Sequence, residues 1–359
     1  METRPNTNGS RRGLTAGIRW YWLVLLLAVV ALVVVLRAGR ESREDQLASQ
    51  DRPTLKRLAS APDSDPLTHL AYGERLARAN QPQAALREFQ RASQMLEPGR
   101  HDALAEHMWA RIGYTLAFMG DDDSARPYLD RARTLNGSNW LAYLGEGLRL
   151  VHQHEAGQAI EPCLRAVAAR PQSYEAHYLL GLAYNDSKNP GAAESELKRA
   201  LALAPEFAAA AAELGHAYAF QSRYAEAAES FRAARKLSPE SREYLFALGE
   251  ALGMGARNPE QYREAAGVQE ECLRASPGNA ALLFALGQLH LRFMNLSEAY
   301  RCLRRSSELR PTYAKPWVNL GRVAGLLGDE TAARQAYARF HRPRSNTTRD
   351  DSAVRFAFR

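Results

Sequence analysis

Hydrophobic and polar positions divide the chain into stretches of different period. Residues 20–36, WYWLVLLLAVVALVVVL, are 17 positions with no polar group beyond the aromatic tips. At 1.5 Å per residue such a helix is about 25 Å long. With Ile18, Ala38 and Gly39 as shoulders it predicts a transmembrane helix that just crosses a hydrocarbon core of about 30 Å. Residues 37–65 are polar, include Pro53 and Pro62 and show no sustained apolar period, which predicts a linker or stalk. From residue 66 to about 345 apolar positions return at helical spacing, with a glycine inside the apolar face of alternate helices. LLGLAY (Leu179–Tyr184), ELGHAY (Glu213–Tyr218) and ALGEAL (Ala247–Leu252) show this cadence at intervals of 34 residues. An interior Gly costs a helix about 1 kcal/mol relative to Ala, so its periodic return calls for a packing reason.

The glycines form a ruler: Gly73, Gly113, Gly147, Gly181, Gly215, Gly249, Gly287 and Gly321, at intervals of 40, 34, 34, 34, 34, 38 and 34. Twelve residues after the Gly stands an Ala (Ala85, Ala125, Ala159, Ala193, Ala227, Ala299, Ala333), and four further on a larger apolar residue (Phe89, Leu129, Leu197, Phe231, Leu303, Tyr337). Four before the Gly stands a large residue such as Trp109, Tyr143, Leu245, Leu283 or Trp317. Pro171, Pro205, Pro239, Pro277 and Pro311 close units, because proline cannot continue a helical ladder. This pattern resembles the tetratricopeptide repeat family, whose 34-residue units are helix-turn-helix pairs.

The resemblance covers residues 66–345 in about eight units. It implies an all-α fold, a right-handed superhelical solenoid with a concave face, here preceded by the transmembrane helix. The intervals of 40 and 38 are insertions, expected in loops near residues 96–101 and within 253–261. Departures stand at Gln269, Ser306 and Gly137. Gly and Ala at the helix crossing are expected to let the two backbones approach, with Leu214, Tyr218 and Phe231 filling the seam. Residues 346–359 show no helical period and are expected to be a disordered tail, the alternative being that Val354–Phe358 (VRFAF) folds back onto the last repeat.

Charge changes the picture only at the ends. The net +7 comes from six Arg and one Glu in residues 1–40 and five Arg and two Asp in 341–359, leaving the body near neutral. That gives no basic face tracking a phosphate backbone, so nucleic acid is not an expected partner. Arg4, Arg11, Arg12 and Arg19 precede the apolar run, while Arg37, Arg40 and Arg43 follow it. This four-to-three balance predicts that residues 1–19 are cytoplasmic and the repeat body lies on the exported side. The run is longer than a signal-peptide core and no A-x-A site follows, which favours an uncleaved anchor. Ser10–Thr15 (SRRGLT) only weakly resembles a twin-arginine signal.

Candidate chemistry is sparse. The chain has no GxGxxG, Walker loop, HExxH or GxSxG. Cys163, Cys272 and Cys302 have no metal or disulfide spacing and read as small buried hydrophobes. HQH (His152–His154) lies at a predicted turn without a third ligand, and Asp121–Ser124 (DDDS) lies where a helix needs an N-cap. No catalytic residue, cofactor or metal is expected, and the chain is not expected to be an enzyme.

The family resemblance implies that the first helix of each pair lines a groove. Mapped onto this chain, its inner positions include Tyr114, Phe118, Leu148, His152, Glu250, Gln288 and Lys315. The partner-binding candidates are Tyr178, Asn185, His216, Phe220, Phe246, Phe284, Arg292 and Arg322. The family's two-carboxylate clamp is not implied, because the opening unit has Leu70, Glu74 and Ala77 at the expected Lys and Asn positions. Aromatic anchors followed by Arg and Lys point to a protein or peptide partner, and truncating Phe246 and Phe284 together is expected to leave stability nearly unchanged. The leading expectation is a membrane-anchored interaction scaffold. The alternative is a permanent assembly subunit of a cell-envelope complex for secretion, polysaccharide export or cytochrome maturation.

Overall fold

The computed structural model describes residues 43, 45–96 and 102–340. The predicted transmembrane segment, the Ser10–Thr15 motif, most of the insertion near 96–101 and the tail beyond Phe340 lie outside the described residues. Among the described residues no helix is long and apolar enough to cross a membrane.

The described chain is helical, and its contacts divide it into two compact units between Gly145 and Glu146. The first contains α1 (Arg52–Ala59), α2 (Pro66–Arg78), α3 (Pro82–Gln94), α4 (Asp102–Phe118), α5 (Asp122–Leu135) and the start of α6 (Trp140–His152). The second continues through α7 (Ala156–Ala169), α8 (Tyr174–Asp186), α9 (Pro190–Leu203), α10 (Ala208–Phe220) and α11 (Tyr224–Leu237). It ends with α12 (Arg242–Gly255), α13 (Pro259–Ala275), α14 (Ala280–Arg292), α15 (Leu296–Leu309), α16 (Ala314–Leu326) and α17 (Glu330–Phe340). Consecutive helices pair as α2/α3 and α4/α5 in the first unit, and from α8/α9 through α16/α17 in the second.

Every ruler glycine except Gly249 faces the residue 16 positions later in its own pair. A Cβ on Gly73 would stand 2.5 Å from the Phe89 ring, one on Gly215 2.7 Å from Phe231, and one on Gly287 2.8 Å from Leu303. The seam is therefore closed by the second helix's large side chain lying over a bare backbone. Cys163 takes this role against Gly147 and is fully buried, which pushes its thiol pKa up to about 12. Cys272 and Cys302 are buried as well.

In four pairs the residue four before the glycine ties down the loop that enters the pair. Tyr143 Oη donates to Gly137 O at 2.8 Å, and Trp317 Nε1 donates to Pro311 O at 3.0 Å. His177 Nε2 lies 3.0 Å from Pro171 O, while its Nδ1 lies 2.6 Å from Glu196 Oε2. In the first pair His69 lies between Ser64 Oγ (3.0 Å) and Glu88 Oε2 (2.7 Å). A polar tip at this position satisfies a loop group that the packed helices hide from water.

Turns inside the pairs reuse one geometry. Seven residues after the ruler glycine the backbone is left-handed at Asn80, Gly120, His154, Lys188, Ser222, Met294 and Gly328. The next N–H reaches back to the helix, as in Arg223 N to Tyr218 O at 2.9 Å, the bond pattern of a Schellman helix end. His154 of the HQH stretch is thus a turn residue. The sixth pair, which carries the four-residue insertion, departs from this: Ala256 has φ −59°, and α13 is lengthened to 17 residues. Left-handed backbone costs an L-residue roughly 1–2 kcal/mol. Ser222→Gly is therefore expected to raise stability by about 0.5–1 kcal/mol, read from the urea midpoint; a decrease would show that the Ser222 side chain holds the turn.

The expected stalk needs correction. Within residues 37–65, α1 is capped by Asp51, which accepts from Thr54 N at 2.9 Å, and Leu55 is fully buried against the following helices. Asp65 caps α2 through Thr68 N at 2.9 Å and pairs with Arg43, and Arg75 donates to Ala48 O at 2.7 Å. Two buried leucines, Leu47 and Leu55, are too few to show a period, yet one face of α1 has a neighbour to cover it. Asp121 caps α5 as expected, accepting from Ser124 N at 3.3 Å. Gln269 and Ser306, the departures from the pattern, are buried and hydrogen-bonded, to Gly249 O (2.9 Å) and Ala280 O (2.7 Å).

Candidate groove in the second unit

Within the second unit, the first helices of the last three pairs meet directly, α12 with α14 and α14 with α16. Between them lies a groove of about 710 Å³. Its apolar floor includes Phe246 and Met254 from α12, Phe284 and Leu291 from α14, and Tyr313 before α16. Polar groups come from Glu250, Gln269, Gln288, Arg292, Lys315, Asn319 and Arg322. Four of the eight sequence-derived candidates, Phe246, Phe284, Arg292 and Arg322, are thereby brought together.

Phe284 has a second role. It is only 9% exposed and belongs to a core with Leu303, Leu320 and Val323, and the Tyr313 ring meets it edge-on at 5.4 Å. Its truncation removes core packing, at about 3–5 kcal/mol. The expectation that Phe246 and Phe284 can be shortened together at little cost is therefore corrected. Helical register places a residue on the inner face but does not say how deep the neighbouring helix sits.

The other four candidates lie elsewhere. Asn185 is 1% exposed, and its Nδ2 donates to both Glu213 O and Glu213 Oε2 at 3.0 Å, tying α8 to α10. It is an inter-pair strut, not a surface open to a partner. Tyr178 is half-buried, its ring 4.8 Å from Phe207. Burial, then the nearby Glu213, Tyr244, Glu243 and Asp186, push its pKa up. His216 sits edge-on to Phe231 at 5.0 Å inside its own pair. Phe220 is 58% exposed at the end of α10. In the first unit, Tyr114 and Phe118 stack at 6.5 Å. Sequence reasoning missed Gln269, Met254, Tyr313 and Asn319. Gln269 carried a signal, as a polar residue at an otherwise apolar position.

The first helices of the pairs in the second unit are electrically divided. α8, α10 and α12 carry Glu175, Asp186, Glu213, Glu243 and Glu250 against one arginine, Arg242. α14 and α16 carry no carboxylate, only His290, Arg292, Lys315 and Arg322. Among the described residues Lys315 and Arg322 make no ion pair. Arg292 donates to Gly253 O, and burial followed by repulsion from Arg257 lowers its pKa. Glu250 is exposed at the groove wall, and partial desolvation of its carboxylate raises its pKa. The α14–α16 side of the groove thus favours an incoming anion, and on the α12 side Glu250 is the carboxylate in the groove lining. Among the described residues no cluster of three or more His, Cys, Asp or Glu side chains is placed to hold a metal ion.

Fold and groove together define an array of paired helices with an open apolar channel. The tetratricopeptide repeat model matches residues 111–174, 164–208 and 212–255, and in these residues the chain carries tetratricopeptide repeats. The structure of the APC/C hetero-tetramer Cut9–Hcn1 is similar with a TM-score of 0.51 and 19% identity, over 74% of this chain and 49% of that one. The structure of PilF from Pseudomonas aeruginosa is 22% identical with a TM-score of 0.46, covering 58% of this chain and 93% of that one. A tetratricopeptide repeat protein from Parabacteroides merdae ATCC 43184 is 16% identical with a TM-score of 0.44, over 73% and 97% of the two chains. The first likeness shows the fold. No curated protein sequence matches this chain.

Proposed function

We propose that the protein is a membrane-anchored tetratricopeptide repeat scaffold that holds an extended segment of a protein partner in the α12–α14–α16 groove, without a reaction of its own. The observation that carries this reading is the pair of cations, Lys315 and Arg322, that make no ion pair among the described residues, beside an open apolar floor. Cations next to apolar anchors suit a segment that offers carboxylates and one or two large apolar side chains. Residues 20–36 are the anchor, with residues 1–19 cytoplasmic and the repeats on the exported side; the apolar run and the arginines before it support this placement.

The test combines fractionation with crosslinked capture of the full-length protein from membranes. The wild type is expected to resist extraction by alkaline carbonate, and a variant lacking residues 20–36 to be released. One partner is expected with the wild type and its loss with Lys315→Glu/Arg322→Glu, at an unchanged thermal midpoint. Recovery of the same stoichiometric set with both proteins would overturn the groove reading and favour a permanent structural subunit.

A further inference from the structure

The groove and the chain that follows it carry matching chemistry in the same order. Starting from α16, the groove offers the cations Lys315, Arg322 and Arg292, then the apolar floor at Phe284 and Phe246. Beyond the floor come the carboxylates of α12 and α10. Residues 341–359, HRPRSNTTRDDSAVRFAFR, continue from α17, the helix paired with α16. Past Arg342, Arg344 and Arg349 they offer Asp350 and Asp351, then Val354, Phe356 and Phe358 alternating with Arg355, Ala357 and Arg359. Acid meets base, and phenylalanine meets the apolar floor.

Resting on the groove proposed above, we infer that residues 350–359 of this same chain are its resident occupant, which a partner must displace. In this arrangement Asp350 and Asp351 pair with Lys315 and Arg322. In an extended segment side chains alternate between two faces, so Val354, Phe356 and Phe358 share the face turned to Phe246 and Met254. The reach suffices: ten residues from Phe340 to Asp350 span up to about 33 Å, while packed helices are about 8–10 Å apart. Tethering supplies the rest, because a short flexible linker gives an effective concentration in the millimolar range. The contact is then populated far more within one molecule than between separate molecules at the same concentration, and a partner's apparent affinity falls in proportion to the free fraction.

The experiment measures binding of a fluorescent synthetic peptide of residues 345–359 to the detergent-solubilised protein. Three proteins are compared: the full chain, a chain ending at Phe340, and the full chain with Asp350→Lys/Asp351→Lys, which retains its tail. Expected is binding to the shortened chain and to the Asp350→Lys/Asp351→Lys chain at least tenfold tighter than to the wild type, whose groove is filled. Adding Lys315→Glu/Arg322→Glu to either is expected to abolish that binding. Equal binding to all three proteins, no binding to either released groove, or binding that survives the groove charge reversal would overturn the inference. If the peptide fails while partner capture still depends on Lys315 and Arg322, the groove stands as a partner site and only the tail's role falls.

Discussion

Gly215→Ala is expected to lower the stability of the wild-type protein by about 1–2 kcal/mol, and the same substitution to raise it by about 1 kcal/mol when Phe231 is also replaced by alanine. An interior Gly→Ala change ordinarily strengthens a helix, so a loss is the unusual result. The new methyl would stand 2.7 Å from Phe231 Cε1, 2.8 Å from Cζ and 2.9 Å from Cδ1. The ring cannot swing clear, because it is 2% exposed and the His216 ring lies against it at 5.0 Å. Overpacking of this kind costs typically 1–3 kcal/mol, more than the helical gain. Phe231→Ala alone is expected to cost about 3–5 kcal/mol through the cavity it leaves, but it removes the obstacle to a methyl group on the Gly215 backbone. The double-mutant cycle, read from urea midpoints, should therefore show a coupling of about 2–3 kcal/mol. Gly249 is an internal comparison, since its nearest neighbour would be Cys272 Sγ at 3.3 Å and a methyl there meets far less resistance. Stabilisation by Gly215→Ala in the wild-type background would show that the glycine has another purpose.

Asn185→Asp is expected to destabilise the protein by about 3–5 kcal/mol at pH 7 and by less at pH 4. The substitution keeps the shape of the side chain and removes its two N–H donors. It leaves Glu213 without the amide that it accepts from and sets a second carboxylate beside it. Burial and the neighbouring charge raise the pKa of such an aspartate in the folded state above its unfolded value. Stability is then lost as pH rises through the unfolded-state value, and it is regained at low pH, where the protonated acid can again donate. Thermal midpoints across pH 4–8 would measure this slope. Peptide binding at the α12–α14–α16 groove should survive in whatever fraction remains folded. A selective loss of binding with unchanged stability would return Asn185 to the partner surface.

Both substitutions bear on how far a sequence can be read. The glycine that recurs at 34-residue spacing was visible, and so was the large residue that follows it, because both are fixed by a contact inside one pair. Their sequence separation is constant, so the contact leaves a periodic trace. The closing prolines are legible for the same reason, each lying two residues past the last helical residue, as with Pro205 after Leu203. The short helix at Arg52–Ala59 leaves no trace in the sequence because its one buried residue, Leu55, makes no period. The left-handed residue of each turn leaves none either, since Asn80, His154, Lys188, Ser222 and Met294 share no side-chain property.

The groove divides along the same line. By itself the sequence determined an all-helical repeat, its register, the inward-facing positions and the passage from aromatic to basic residues toward the last pairs. Those follow from helical periodicity, a local property of the backbone. Only the tertiary structure decided which inward positions stay open. Asn185 and Phe284 share the inner register with Phe246 and Arg322, but Asn185 meets the backbone of the next pair and Phe284 is packed against Leu303 and Val323. Depth depends on how closely neighbouring helices approach and on the side chains between them, and those come from residues distant in sequence, among which no period runs.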